Sequence, residues 1–412
     1  MGNDRILWSS NWDERIYEMI MKNSWQTKKL GEVILDIKDG GTPSRQRSEY
    51  FGGDIYWSVI KDIKPQIYDT TEKLTQEGLD HCSAKVWPIN SVIISLGATI
   101  GQIGIAKVST ATKQGISGIV VNKKIITPEF LVYVLTDKKE YIQKIATGAT
   151  IKEVRPTKLK EVLTFSLPSL KEQKRIVKIL DKVFKKIAKT EENVKKNLQN
   201  AKEVFESYLQ NVFTNPGKDW EEKRLGEVYD VRDGTHDSPK YHKEGYALIT
   251  SKNLKRDKLD FKNIKYISEK DYQKINNRSN VHKGDILFAM IGTIGNSVVV
   301  EIDPDFAIKN VALFKIPKNQ SSYFLKYFLD SKFVIDKMAE ESKGTTQKFV
   351  GLGYLRDFKI QLPKLAKQKT IVAKLDALSA ETKKLEGIYR QKLADLEELK
   401  KSVLKKAFEG EL

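Results

Sequence analysis

Near the middle of the chain apolar residues step by three and four: Leu180, Phe184, Ile187, Val194, Leu198, Ala201, Phe205, Tyr208 and Val212, with Glu191 as the one polar break. Lysine and glutamate fill the positions between them. This is the heptad spacing of a helix that buries one narrow stripe, and it predicts a single helix from about Lys171 to Phe213. At 1.5 Å per residue such a helix runs about 65 Å, longer than an average globular core covers. A second copy closes the chain: Ile371, Leu375, Leu378, Leu385, Tyr389, Leu396, Leu399 and Val403, interrupted by Thr382 and Lys392. Two exposed stripes most simply cover each other, and helices related by a pseudo-twofold axis pack antiparallel. The alternative is that each helix lies on its own domain.

The two helices start alike. Leu167-Pro168, Gln173 and Asp181 are matched by Leu362-Pro363, Gln368 and Asp376, each 195 residues later. The same offset relates what precedes them, where Trp25-Gln-Thr-Lys-Lys-Leu-Gly-Glu-Val33 is echoed by Trp220-Glu-Glu-Lys-Arg-Leu-Gly-Glu-Val228. Both continue into a short strand and a polar turn, Asp39-Gly40-Gly41-Thr42-Pro43 and Asp233-Gly234-Thr235-His236. Lys61-Asp-Ile-Lys64 corresponds to Lys252-Asn-Leu-Lys255. Apolar strands Val92–Leu96 and Ile286–Met290 lead to Gly97-Ala-Thr-Ile-Gly101 and Ile291-Gly-Thr-Ile-Gly295. Lys113-Gln114 and Lys309-Asn310 precede the strands Gly118–Val121 and Val311–Ile316. A helix follows in each, at Glu129–Ala146 and Tyr323–Met338, and then a Gly-Thr loop, Thr147–Thr150 against Gly344–Gln347. The order predicts two tandem α+β domains, each followed by a long helix. The boundaries read as an N-terminal segment 1–24, which holds Trp8, Trp12 and Ile16 and is compatible with a short helix packed on the first domain, then a domain 25–165 and a helical region 166–215. A second domain spans 216–360 and a second helical region 361–412, with Asn215-Pro216-Gly217 breaking the first helix. A period of 195 far exceeds that of solenoid repeats, so a domain pair has been duplicated.

Charge narrows the partners. The 412 residues carry 72 Lys and Arg against 54 Asp and Glu, a formal net charge of +18, which implies a polyanionic partner. No run of 18 apolar residues is present to span a membrane, and residues 1–24 lack the apolar core of a signal peptide. The cations are spread through both halves with no basic anchor or acylation motif, which favours double-stranded DNA over a membrane surface. The single cysteine, Cys82, excludes an internal disulfide and fits a reducing cytoplasm.

Catalytic signatures are missing. There is no G-x-x-x-x-G-K-[ST] phosphate loop and no N/D-P-P-[YFW] methyltransferase tetrapeptide. His81, His236, His242 and His282 form no ligand spacing with Cys82 or with one another, so no metal site and no cofactor is expected. Glu221-x-Lys223 after Asp219 has the look of a nuclease carboxylate–lysine pair, but its counterpart is Gln26-x-Lys28, and a surface charge pair is the better reading.

Laid side by side, the two halves resemble the specificity subunit of Type I restriction-modification systems. The residues that carry this are W-x₄-L-G-E-V at Trp25 and Trp220, the G-x-T-I-G turns at Gly97 and Gly292 (the second one residue shorter), and the L-P-x-L-x₂-Q-K start of each long helix. The resemblance covers about Trp25 to the C-terminus. It implies two target-recognition domains, each reading one half of a split, asymmetric DNA site, and an antiparallel coiled coil that sets the gap between them. It also implies two modification (methyltransferase) subunits bound to the helices and restriction (endonuclease/translocase) subunits joining the complex. This chain itself would then be non-catalytic. The readings kept open beside it are a coiled-coil protein scaffold and a self-contained DNA-modifying enzyme.

Duplication sorts the candidate DNA-binding residues. Positions kept in both halves cannot explain two different half-sites and are assigned to folding or phosphate positioning: Lys61/Lys252, Thr99/Thr293 and Lys113/Lys309. Positions that differ in equivalent loops are the candidates for base readout. In the first half these are Ser44, Arg45, Gln46, Arg47, Lys152 and Arg155; in the second, His236, Asp237, Ser238, Lys240, Gln347 and Lys348. Arg45 and Arg47 are candidates for guanine, Gln46 and Gln347 for adenine. Thr42, Gln114, Thr235, Asn253, Asn310, Thr345 and Thr346, in the same loops, complete the set.

Overall fold

The computed structural model describes residues 25–149, 152–255, 258–292, 294–342 and 349–412. The N-terminal segment and the sequence candidates Thr293, Thr345, Thr346, Gln347 and Lys348 lie outside the described residues. The chain forms two compact units, one containing the residues up to Asn193 together with Lys392–Leu412, the other Val194–Gln391.

In the first unit Gln26–Lys29 pairs antiparallel with Thr164–Leu167, so the start and end of the globular part close on each other. Between them lies a five-stranded sheet, ordered Ile34–Asp39, Ile116–Val121, Val92–Ser95, Ile103–Ala106 and Gln66–Ile67, and a three-stranded sheet centred on Phe51–Ser58. Val92–Ser95 is buried along its whole length because it is covered on both faces, which explains its continuous apolar run. The helix expected over Glu129–Ala146 is two helices, Pro128–Asp137 and Lys139–Lys144. The first starts on a Thr127 N-cap with proline behind it.

The second unit repeats the plan. Glu221–Arg224 pairs with Lys359–Leu362. A four-stranded sheet runs Asp230–Asp233, Val311–Lys315, Ile286–Ala289, Gly295–Val299, and a three-stranded sheet centres on Tyr246–Ile249. Here too the expected single helix is two, Ser322–Asp330 and Lys332–Glu340.

The long helices run Leu170–Thr214 and Leu365–Phe408. Within the first unit the start of the first helix meets the end of the second: Ile176 and Leu180 share a buried cluster with Leu404 and Ala407, and Lys400 pairs with Glu191 at 2.6 Å. Within the second unit the order reverses, and Phe205, Leu209 and Phe213 share a cluster with Ile371, Val372 and Leu375. The pairing is therefore antiparallel. The two arrangements considered above both occur, since each cluster also contains residues of its own globular part, such as Phe130 and Phe324. The polar break at Glu191 thus faces a lysine across the seam, an arrangement that favours one register over others.

The apolar stripe departs from the strict heptad at two places. Toward the end of the first helix Leu209 and Phe213 are buried and Tyr208 is exposed, because the stripe there turns to face Phe324 and Phe328. In the second helix Leu385 and Leu399, expected in the seam, are exposed. Thr382, expected as an interruption, is buried and returns its hydroxyl to the Leu378 carbonyl at 2.9 Å.

Two side chains pin each helix to its own globular part, and they are the ones repeated at the 195-residue offset. Gln173 is fully buried; its Oε1 accepts from the Thr127 N–H at 3.0 Å, and its Nε2 donates to the carbonyls of Ile125 and Pro168, both at 2.9 Å. Gln368 likewise accepts from the Ser321 N–H at 3.0 Å and donates to the Pro363 carbonyl at 2.9 Å. One helical turn pair further on, Tyr133 donates to Asp181 and Tyr327 to Asp376, both at 2.6 Å. Burial and the neighbouring carboxylate push the Tyr133 phenol well above its ordinary range. We expect Gln173→Ala to cost about 3 kcal/mol, because it orphans a buried N–H and two carbonyls at once. Chemical denaturation followed by circular dichroism measures this; a loss under about 0.5 kcal/mol would show that water replaces the amide.

Candidate nucleic-acid interface

In the first unit backbone hydrogen bonds gather the candidate loops at one edge of the sheets. The Gly40 and Gly41 N–H groups reach the Ile116 and Thr112 carbonyls at 3.0 and 2.9 Å, and the Lys113 N–H reaches Ser58 at 3.0 Å. A Cβ on Gly40 would stand 2.1 Å from the Thr112 carbonyl oxygen, so only glycine permits this approach. The Leu96 and Gly97 N–H groups both donate to Gly115 at 2.9 Å, and the Val154 N–H donates to Leu96 at 2.8 Å. The loops bearing Thr42–Arg47, Thr99, Lys113-Gln114 and Lys152–Arg155 are thereby stitched together.

Arg45 is the most constrained cation of this edge. Its guanidinium lies over Phe51 and Trp57, 4.7 and 5.1 Å from the ring centroids, and forms an ion pair with Glu72. Arg45, and more weakly Lys61 and Lys113, hold the Glu72 carboxyl below its usual range. Three of the candidate cations therefore act on one carboxylate, and Arg45 is the one in contact with it. Ser44, Gln46 and Arg47 are exposed at the loop tip, with Arg47 against Glu49 at 3.2 Å. Thr99, Gln114, Lys152 and Arg155 are exposed as well, and Thr42 is half-buried.

The Lys61-Asp62 and Lys252-Asn253 repeat has a structural explanation. Asp62 is buried and accepts from the Val59 N–H at 2.9 Å and the Thr71 hydroxyl at 2.9 Å. Asn253 does the same job: it accepts from the Thr250 N–H at 3.0 Å and donates to the Asp260 carbonyl at 2.9 Å. Each side chain closes a single 3₁₀ turn that leaves the preceding lysine exposed. Asn253 was a DNA-contact candidate from its sequence; its amide is spent on the turn, and Lys252 is the residue presented.

In the second unit Gly234 and Thr235 donate to Val311 and Ile308, both at 3.0 Å, and the Asn310 N–H returns to Thr235 at 3.1 Å. Lys309, assigned from sequence to folding or phosphate positioning, holds the neighbouring loop. Its Nζ donates to the Asp237 carbonyl and the Ser238 hydroxyl, both at 2.7 Å. His236 stands between Asn310 Oδ1 at 2.9 Å and Asp233 Oδ2 at 2.8 Å. Residues 235–238 thus form a braced ridge with Lys240 exposed beyond it. On one side of the ridge lies a groove of about 960 Å³ lined by Lys252, Lys255, Lys262, Lys265, Lys309 and Asn310. Lys262 and Lys265 escaped the sequence reading because their contribution is collective: nothing in their local spacing separates them from other surface lysines, and only folding puts them in one concavity. Lys265 is steadied over the Tyr241 ring at 4.1 Å.

A lysine-lined groove on the second unit, and a loop edge bearing Arg45, Arg47, Lys152 and Arg155 on the first, suit a polyanionic duplex. The sequence model of the type I restriction modification DNA specificity domain matches residues 22–200 and again 217–394. The chain belongs to this family.

The MjaIX type I restriction enzyme specificity subunit of Methanocaldococcus jannaschii is 26% identical over 391 residues, covering 87% of each chain. A chain from a structural study of complex assembly and conformational transition of the type I R-M system superposes with a TM-score of 0.75 at 22% identity, over 94% of this chain and 98% of that one. The HsdS subunit of Thermoanaerobacter tengcongensis gives 0.59 at 21% identity, over 94% and 97%. These two likenesses concern the fold. As a specificity subunit, the protein is the non-catalytic component that recognises DNA at a bipartite site, and DNA and the methyltransferase and restriction subunits are its partners in general. The two other readings of the sequence, scaffold alone and self-contained enzyme, fall away with this assignment. Among the described residues no helix is long and apolar enough to cross a membrane.

Proposed function

We infer that residues 25–165 and 216–360 are the two recognition domains, each reading one half-site, and that the helical regions 166–215 and 361–412 carry two modification subunits, one per repeat. The protein acts in the cytoplasm, where host DNA is found. What supports this reading most is the repeated stitching of equivalent loops into one edge per unit, with side chains that differ between the two edges. A shared frame with diverged tips is what an asymmetric site requires of one duplicated chain. Lys61 and Lys252 take phosphates. Arg45, clamped between Glu72 and two aromatic rings, reads a base in the first half-site, with Ser44, Gln46, Arg47, Lys152 and Arg155 around it. The ridge Thr235–Ser238 enters a groove of the duplex in the second half-site, with Lys240 exposed beyond it.

The test is binding by the assembled methyltransferase complex across a salt series. Lys61→Ala and Lys252→Ala should each weaken binding to all sequences alike and lower the salt slope by about 0.9, the value for one lost phosphate contact. Arg45→Ala should instead relax one base position while the rest of the site keeps its preference. A lysine variant that changed preference at one base, with no change in slope, would reverse these roles.

A further inference from the structure

Sequence reasoning placed no weight on Arg278, which sits in the last turn of the helix Glu269–Ser279 and outside every repeated motif. In the folded protein it reaches the base of the ridge. Its guanidinium pairs with Asp233, whose side chain is 8% exposed while that of Arg278 is 62% exposed. Asp233 also receives His236 at 2.8 Å, and His236 in turn bonds Asn310 at 2.9 Å, so the carboxylate is tied into the ridge. The backbone of Arg278 is held as well, because Arg232 donates to its carbonyl at 3.2 Å. A hollow of about 370 Å³ opens beside it, lined among others by Thr235, Asp237, Ser238, Asp271, Lys274 and Arg278. Asp271 is occupied as an acceptor of the Ser268 hydroxyl at 2.8 Å.

Duplication makes this cluster informative. Asp39 is the counterpart of Asp233, and it accepts from the Gly115 N–H at 3.1 Å and the Ser117 hydroxyl at 3.4 Å. Burial pushes the Asp39 carboxyl up. Among the described residues no cation pairs with it. The equivalent carboxylate, half-buried at Asp39 and buried at Asp233, is therefore kept as a loop brace in one domain and converted into an arginine holder in the other. A position where the frame is kept and the tip differs is where two half-sites are told apart.

We propose that Arg278, oriented by Asp233, is a specificity-determining residue of the second half-site and reads a guanine there. A guanidinium has five N–H donors in a planar fork, so one edge can hold the carboxylate while another presents two donors to guanine O6 and N7. Pinning one edge removes the rotamer freedom that a lone surface arginine would lose on binding. The ridge supplies the neighbouring contacts, and Lys274, one turn earlier on the same helix, adds positive charge. This rests on the assignment of residues 216–360 as a recognition domain.

The experiment uses the complete methyltransferase complex and a library of duplexes randomised at both half-sites, selected by binding. Arg278→Lys keeps the charge and the pairing with Asp233 but loses the fork, so it should cost about tenfold or more in preference for guanine at one position of the second half-site. The first half-site should be unaffected. Asp233→Asn, which releases the arginine without removing it, should relax the same position. Thermal melting of each variant separates loss of folding from loss of reading. Unchanged base preference in Arg278→Lys overturns the proposal, and so does an equal loss over all positions, which marks a phosphate contact. A wild-type complex that selects no second half-site at all overturns the recognition-domain assignment on which the proposal rests.

Discussion

Exchanging residues 217–362 for the equivalent segment of another family member will change the bases recognised in one half-site and leave the other half intact. The sequence places the end of the second domain at residue 360. The structure moves that junction to Pro363, because Lys359–Leu362 is the strand that pairs with Glu221–Arg224 and a cut after Ile360 would divide it. With both strands moved together, the transferred piece keeps its closing ladder and its core around Phe288, Phe314 and Phe324. Each mismatched base pair in a specific site costs about 1–3 kcal/mol, so a replaced half-site of a few base pairs loses on the order of a thousandfold or more for the original sequence. Mapping methylated positions in host DNA reads the outcome directly. A change in both halves would mean that the two domains do not read independently.

The second large effect concerns spacing. One heptad inserted in the middle of both long helices preserves the apolar stripe, since seven residues return it to the same face. It adds about 10 Å of helix at 1.5 Å per residue, which is up to about three base pairs at 3.4 Å each. The non-specific gap in the recognised site should lengthen while both half-sites keep their bases. Insertion of four residues in one helix only would instead shift Glu191 off Lys400 and break the register, and is expected to lower stability. If the double insertion leaves the gap unchanged, the helices do not measure it.

These outcomes depend on features that differed in how plainly they could be read beforehand. The helices, the repeat and the α+β class were legible because they rest on local and periodic signals. Leu180, Ile187, Val194 and Ala201 are buried at the positions that their spacing required, and Gln173, Gln368, Asp181 and Asp376 stood out because their offset matched before any role was known for them. The interface was legible only in outline. Equivalent loops could be paired from their motifs, yet the work done by each side chain in them could not. Asn253 and Asp62 have nothing in common in charge, and both close the same turn. Lys113 and Lys309 are the same residue in the same place, and among the described residues it is Lys309 that holds a neighbouring loop, through Ser238.

By itself the sequence determined the duplicated architecture, the pair of long helices, the excess positive charge and the absence of catalytic signatures, because each follows from composition, from short-range periodicity or from motifs matched at one fixed offset. Tertiary structure decided where the stripe leaves its heptad at Leu209 and Phe213, which lysines share a groove, and that Arg278 meets Asp233 across 45 residues of chain. Those are contacts between residues far apart in sequence, fixed by how sheets and helices pack, and no local pattern of residue types encodes them.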